Sequence, residues 1–64
     1  MRVFAVRFAN KFGVHMGTLK VGMPLSELGQ LPQHVRALGD KAFGSDWGRA
    51  TVQGTNVTVL NPGS

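Results

Sequence analysis

Residues 49–60, Arg-Ala-Thr-Val-Gln-Gly-Thr-Asn-Val-Thr-Val-Leu, favour one antiparallel register. Gly54 followed by Thr55 suits a two-residue type II′ turn, in which glycine takes the first central position, and this predicts closure by Gln53 and Asn56. Folding outward from that turn sets Val52 against Val57 and Ala50 against Val59 on one side. Thr51 then meets Thr58, and Arg49 meets Leu60, on the other. A slip of one residue would exchange the two faces, so apolar alternation and turn chemistry select the same pairing. An isolated two-stranded ribbon is marginal in water. The rest of the chain must therefore supply further strands and a cover for the valine face.

The chain opens with the same period. In residues 2–9, Phe4, Val6 and Phe8 point one way, whereas Val3, Ala5, Arg7 and Ala9 point the other. Asn10, Lys11, Phe12 and Gly13 carry turn chemistry. A three-residue loop ending on a left-handed Gly13 pairs Asn10 with Val14 and Phe8 with Met16. Beyond it the apolar phase changes, from Val14 and Met16 to Leu19 and Val21, and a bulge near Gly17 reconciles the two sets. Met23 to Leu28 then reads as one short helical turn entered through Pro24 and limited by Gly29. Pro32 suits a helix start, and Leu31, Val35, Leu38 and Ala42 recur at helical spacing, with Gln33, Arg36, Asp40 and Lys41 opposite them. Gly44 is the expected stop. Gly39, inside this helix, costs about 1 kcal/mol of helix propensity relative to alanine and weakens the expectation that the helix runs unbroken.

The order β-β-α-β-β predicts an α+β fold: a four-stranded, mostly antiparallel sheet with one main helix, residues 32–43, packed on one face. Residues 1–61 form a single domain and 62–64 a short tail. The expected core is Phe4, Val6, Phe8, Met16, Leu19, Val21, Leu31, Val35, Leu38, Phe43, Val52, Val57 and Val59. With 64 residues the domain buries only about 60% of the surface of its unfolded chain. There is no cysteine to add a disulfide or a thiolate-bound metal, and a small core without such support often recruits a second copy of the chain.

Several functional classes lose support at this level. His15 and His34 are the only histidines, and no carboxylate lies at a spacing that completes a metal site with either. Glu27, Asp40, Asp46, Ser26 and Ser45 fall at caps and turns, where local hydrogen bonding accounts for them. The nine glycines follow neither phosphate-loop spacing. The expectation is a chain that is not an enzyme and takes no cofactor. No apolar run approaches the roughly 20 residues of a membrane span, and residues 1–9 alternate around two arginines instead of forming a signal core. The expected location is the cytoplasm.

What remains is binding. Seven Lys and Arg against three Asp and Glu give a net charge of +4, which favours an anionic partner. A single helix leaves one sheet face uncovered, carrying Val3, Ala5, Arg7, Arg49, Thr51, Thr58 and Leu60. Trp47, beside Gly48 and Arg49, is added as a candidate aromatic anchor. The leading expectation is a protein-interaction module, a regulator or inhibitor that occupies another protein's surface and forms a homodimer in one version of this reading. The alternative is a nucleic-acid binder using Arg2, Arg7, Lys20 and Arg49 as phosphate contacts on the open sheet face.

Overall fold

The computed structural model describes residues 2–62, so Gly63 and Ser64 of the expected tail lie outside the described residues. Strand β1 (Arg2–Asn10) and strand β2 (His15–Met23) form the first hairpin, followed by a 3-10 segment (Leu25–Gln30) and helix α1 (Leu31–Phe43). Strands β3 (Trp47–Val52) and β4 (Thr58–Leu60) complete the chain. All four strands share one antiparallel sheet in the order β2-β1-β3-β4. The fold is thus α+β, with the helix on one face of the sheet, as the periodicities predict. Among the described residues no helix is long and apolar enough to cross a membrane.

The first turn forms as expected. Gly13 takes φ 82°, the Asn10 amide donates to Val14 O at 2.9 Å and the Gly13 amide to Asn10 O at 2.9 Å. The Asn10 side chain tightens the loop further, its Oδ1 accepting from the amides of Phe12 and Val14 at 2.9 and 3.0 Å. Phe8, however, pairs with Gly17 and not with Met16, because Ala9 pairs with His15 and Met16 is the extra residue of the bulge. That insertion carries Leu19, Val21 and Met23 onto the side of Phe4, Val6 and Phe8. Met23 ends β2 and is buried, so it belongs to the strand and not to the helical turn that follows.

The second hairpin keeps its predicted register, with Arg49 opposite Leu60, Ala50 opposite Val59 and Thr51 opposite Thr58. Its turn differs. The loop spans residues 53–56, closed by the Val52 amide donating to Val57 O at 3.1 Å, and Gly54 takes φ 79° at the third position of a turn in which the Thr55 amide donates to Val52 O. This is the position at which a type II turn requires glycine. The Thr55 hydroxyl donates to Val52 O at 3.0 Å and accepts from the Val57 amide at 3.1 Å. Gln53 leaves the predicted pair with Asn56 and donates its amide to Ala5 O at 2.9 Å, which lengthens the β1–β3 ladder instead.

The core contains Phe4, Val6, Phe8, Val21, Met23, Leu31, Val35, Trp47, Ala50, Val52 and Val59, with Met16, Leu19, Leu38, Phe43 and Val57 packed against it. Helix α1 runs unbroken and buries Leu31, Val35 and Gly39, four residues apart in each step, while Ala42 of the expected stripe is exposed. Gly39 explains the difference. A Cβ there would lie 2.6 Å from Trp47 Cε2 and 2.7 Å from Phe8 Cε2, so the missing side chain lets the helix seat directly on two rings. Phe8 in turn meets Trp47 edge-on at 5.5 Å between centroids and Phe43 at 5.3 Å, distances in the favourable range for aromatic pairs.

Candidate functional site

The uncovered face of the sheet can be read from the registers, since residues directly opposite one another point to the same side. One row runs Thr18, Arg7, Thr51, Thr58 across β2, β1, β3 and β4, and the next runs His15, Ala9, Arg49, Leu60. Lys20 stands opposite Ala5 and Gly22 opposite Val3 at the other end. Arg7 and Arg49 are diagonal neighbours across the β1–β3 ladder, about 7–8 Å apart at their Cα atoms. At the hairpin end the face deepens into an open hollow of about 710 Å³, whose lining includes Arg7, Lys11, Phe12, His15, Arg49 and Thr51. His15 Nε2 lies 3.1 Å from Thr18 Oγ1, which ties the β2 side of the hollow.

Among the described residues no carboxylate belongs to this face. Glu27 lies in the 3-10 segment, Asp40 in α1 and Asp46 in the turn before β3. Arg7, Arg49, Lys20 and Lys11 therefore project on or beside a surface without local neutralisation, and the chain's modest net charge becomes a concentrated one. The apolar exposure sits at the margins, with Val3 61%, Leu60 59% and Phe12 79% accessible. Lys11 Nζ lies 5.4 Å from the centroid of the Phe12 ring, within cation–π range.

Of the residues proposed from sequence, Val3, Ala5, Arg7, Arg49, Thr51, Thr58 and Leu60 share this face, and Lys20 joins them at its β2 edge. Trp47 does not. Ala9 pairs with Arg49 but Asn10 pairs with Trp47, which leaves Gly48 as an extra residue and turns Trp47 to the helix side, where it is fully buried. Its indole Nε1–H donates to Asp40 Oδ1 at 3.0 Å, so it holds the helix to the sheet and is no surface anchor. The bulge needs glycine here because a Cβ on Gly48 would lie 2.8 Å from Lys11 N and 2.9 Å from Lys11 Cα. Arg2 also leaves the predicted group. It shares the phase of Phe4, Val6 and Phe8 and stands opposite Met23, so it reaches solvent from the helix side.

Three contributors escaped sequence reasoning. Lys11 and Phe12 read as turn residues, yet the turn places them at the rim of the hollow. Asn61 read only as the last residue of the domain, yet it is buried, donates its side-chain amide to Trp47 O at 2.7 Å and its backbone amide to Gly48 O at 3.0 Å, and so secures the bulge from the end of β4. An asparagine directly after an alternating strand was the available signal. Among the described residues no three His, Asp or Glu side chains group in a way that could hold a metal ion. No protein-family model, curated protein or solved structure matches the chain.

Proposed function

We propose that this chain is a non-enzymatic protein-interaction module whose uncovered sheet face occupies an acidic surface of another protein. The carrying observation is the segregation of charge: Arg7, Arg49, Lys20 and Lys11 on or beside one face, all three acids elsewhere. Arginines set among threonine hydroxyls and small alanines suit close, directional contact with carboxylates, and Val3, Leu60 and Phe12 supply apolar area at the margin.

A second reading, single-stranded nucleic acid on the same face, is favoured by the same cations. It is weakened by where the aromatic rings lie. Sheet-based binders of single strands stack bases on rings carried by the strands, but here Phe4, Phe8 and Trp47 turn to the core, Phe43 packs beneath them from α1, and Phe12 sits at the hairpin tip.

One experiment separates the two. The tagged chain and its Arg7→Glu/Arg49→Glu variant are used for affinity purification from the source cell, with mass spectrometry of what is retained. In parallel both are titrated with random-sequence DNA and RNA across a salt series. The protein reading expects a reproducible acidic protein partner that the variant loses and no tight nucleic-acid binding at low salt. Capture of no protein, together with oligonucleotide affinity that falls steeply with salt and weakens in the variant, would transfer the function to nucleic acid.

A further inference from the structure

A second surface lies along the outer edge of β2, where Lys20 borders the open face as well. Strand β2 is at the margin of the sheet, so alternate residues turn unpaired N–H and C=O groups outward. Natural proteins cover or blunt such an edge, because it templates another strand. Beside it, α1 presents His34, Ala37, Leu38 and Lys41 at the spacing of one helical stripe, and with Lys20, Val21 and Gly22 these residues line a groove of about 340 Å³. The floor is apolar, supplied by Val21 and the half-buried Leu38, whereas Lys20 and Lys41 stand at its rim. Among the described residues no carboxylate lines it. Asp40, adjacent to Lys41 in sequence, turns away to accept from Trp47 Nε1 at 3.0 Å.

We infer that this groove takes an extended acidic peptide segment of another protein, which adds a strand to the edge of β2 and lays alternate apolar side chains over Val21 and Leu38. The dimensions agree: the helix from His34 to Lys41 rises about 10 Å, the length of about three extended residues. Main-chain hydrogen bonds to β2 give affinity and the groove selects side chains, the usual division of labour in strand addition. Lys20 and Lys41 choose the charge. They also argue against a second copy of this chain on the same edge, because an antiparallel β2 pair would bring one cationic rim against another. The inference extends the protein-binding proposal to a different surface, and each can fail without the other.

The test uses the full chain, isotopically labelled, and a short N-acetylated peptide alternating valine and glutamate as the probe. Saturable binding at or below about 1 mM is expected, with chemical-shift changes and slowed amide exchange confined to residues 18–22 and 34–41. N-methylation of alternate peptide amides, replacement of glutamate by lysine in the peptide, and Ala37→Glu/Lys41→Glu in the protein should each weaken binding by about tenfold or more. Both substituted residues are exposed, so that variant is expected to fold, which circular dichroism checks. The Arg7→Glu/Arg49→Glu variant should bind the peptide within about twofold of the parent. Absence of saturable binding overturns the inference. So does binding indifferent to N-methylation or to the groove substitutions, or binding lost in the Arg7→Glu/Arg49→Glu variant, which would place the peptide on the open face.

Discussion

Gly39 and Asp40, neighbours on α1, hold Trp47 by opposite means, one by having no side chain and the other by accepting the indole hydrogen. Propensity alone recommends Gly39→Ala, which gains about 1 kcal/mol of helix stability on that scale. The packing term wins. An added methyl 2.6 Å from Trp47 and 2.7 Å from Phe8 must push both rings aside, and overpacking of this kind costs about 1–3 kcal/mol, which outweighs the propensity gain over most of that range. Urea unfolding of Gly39→Ala should show a clear net loss, and a stabilised variant would disprove the close seating. For Asp40→Ala the buried indole N–H loses its acceptor, a cost of about 1–3 kcal/mol, whereas Asp40→Asn retains a carbonyl oxygen and should cost less. Equal losses in the two Asp40 variants would show that the hydrogen bond is not what matters. Neither role is legible in sequence, where Gly39 reads as a flaw in a helix and Asp40 as a solvent-facing acid. Both depend on a ring that arrives from the next strand, eight residues beyond Gly39 and seven beyond Asp40.

At the scale of elements, the alternation that predicts the strands also predicts its own failures, but not where they fall. The phase break between Met16 and Leu19 requires an inserted residue in β2, and the structure puts it at Met16, next to the glycine where sequence alone locates it. The β3 bulge leaves no such trace, because Gly48 separates Trp47 from Arg49 and strict alternation then assigns Trp47 to the open face. Backbone proximity between Gly48 and Lys11 decides the matter, and it exists only once β1 and β3 pair. Gly48→Ala should therefore destabilise by about 1–3 kcal/mol, since a Cβ would meet backbone atoms of Lys11 that cannot rotate away. Unchanged thermal unfolding would contradict the close approach. The second hairpin shows why register is more legible than turn type. A two-residue loop closed by Gln53 and Asn56 and a four-residue loop closed by Val52 and Val57 place every outer pair identically. What separates them is the Thr55 hydroxyl, bonded on both sides, and the pull of Ala5 O on the Gln53 amide. Thr55→Ser should be nearly silent, and Thr55→Val should cost about 1 kcal/mol, read in the same unfolding assay.

For the whole molecule, strand order is the feature no local pattern encodes: β1 pairs with both β2 and β3, and its Phe4, Val6 and Phe8 share one core with Trp47 and with Leu31 and Val35 of α1. That order also joins Arg7 to Arg49, which lie far apart in sequence, and so turns dispersed cations into a patch. Such a patch is a cost to folding, since like charges at diagonal positions repel and, of the described residues, no acid stands among them. If the patch exists for a partner, its reversal should separate stability from binding. Arg7→Glu replaces a repulsive diagonal with an attractive one, so its unfolding midpoint in low salt should stay level or rise by up to about 0.5 kcal/mol in stability, with the gain fading as salt is added. Capture of a protein partner should fall in the same variant. A parallel loss of stability and binding would instead mean that Arg7 serves the fold. The same charges bear on self-association: an open-face homodimer would stack one cationic surface on another. Sedimentation at several concentrations should find the low-salt chain monomeric, and any open-face dimer should strengthen as salt rises. A dimer that tightens as salt falls would show that the cations meet carboxylates of the second copy, which the open face lacks, and would move the interface to the acid-bearing helix side.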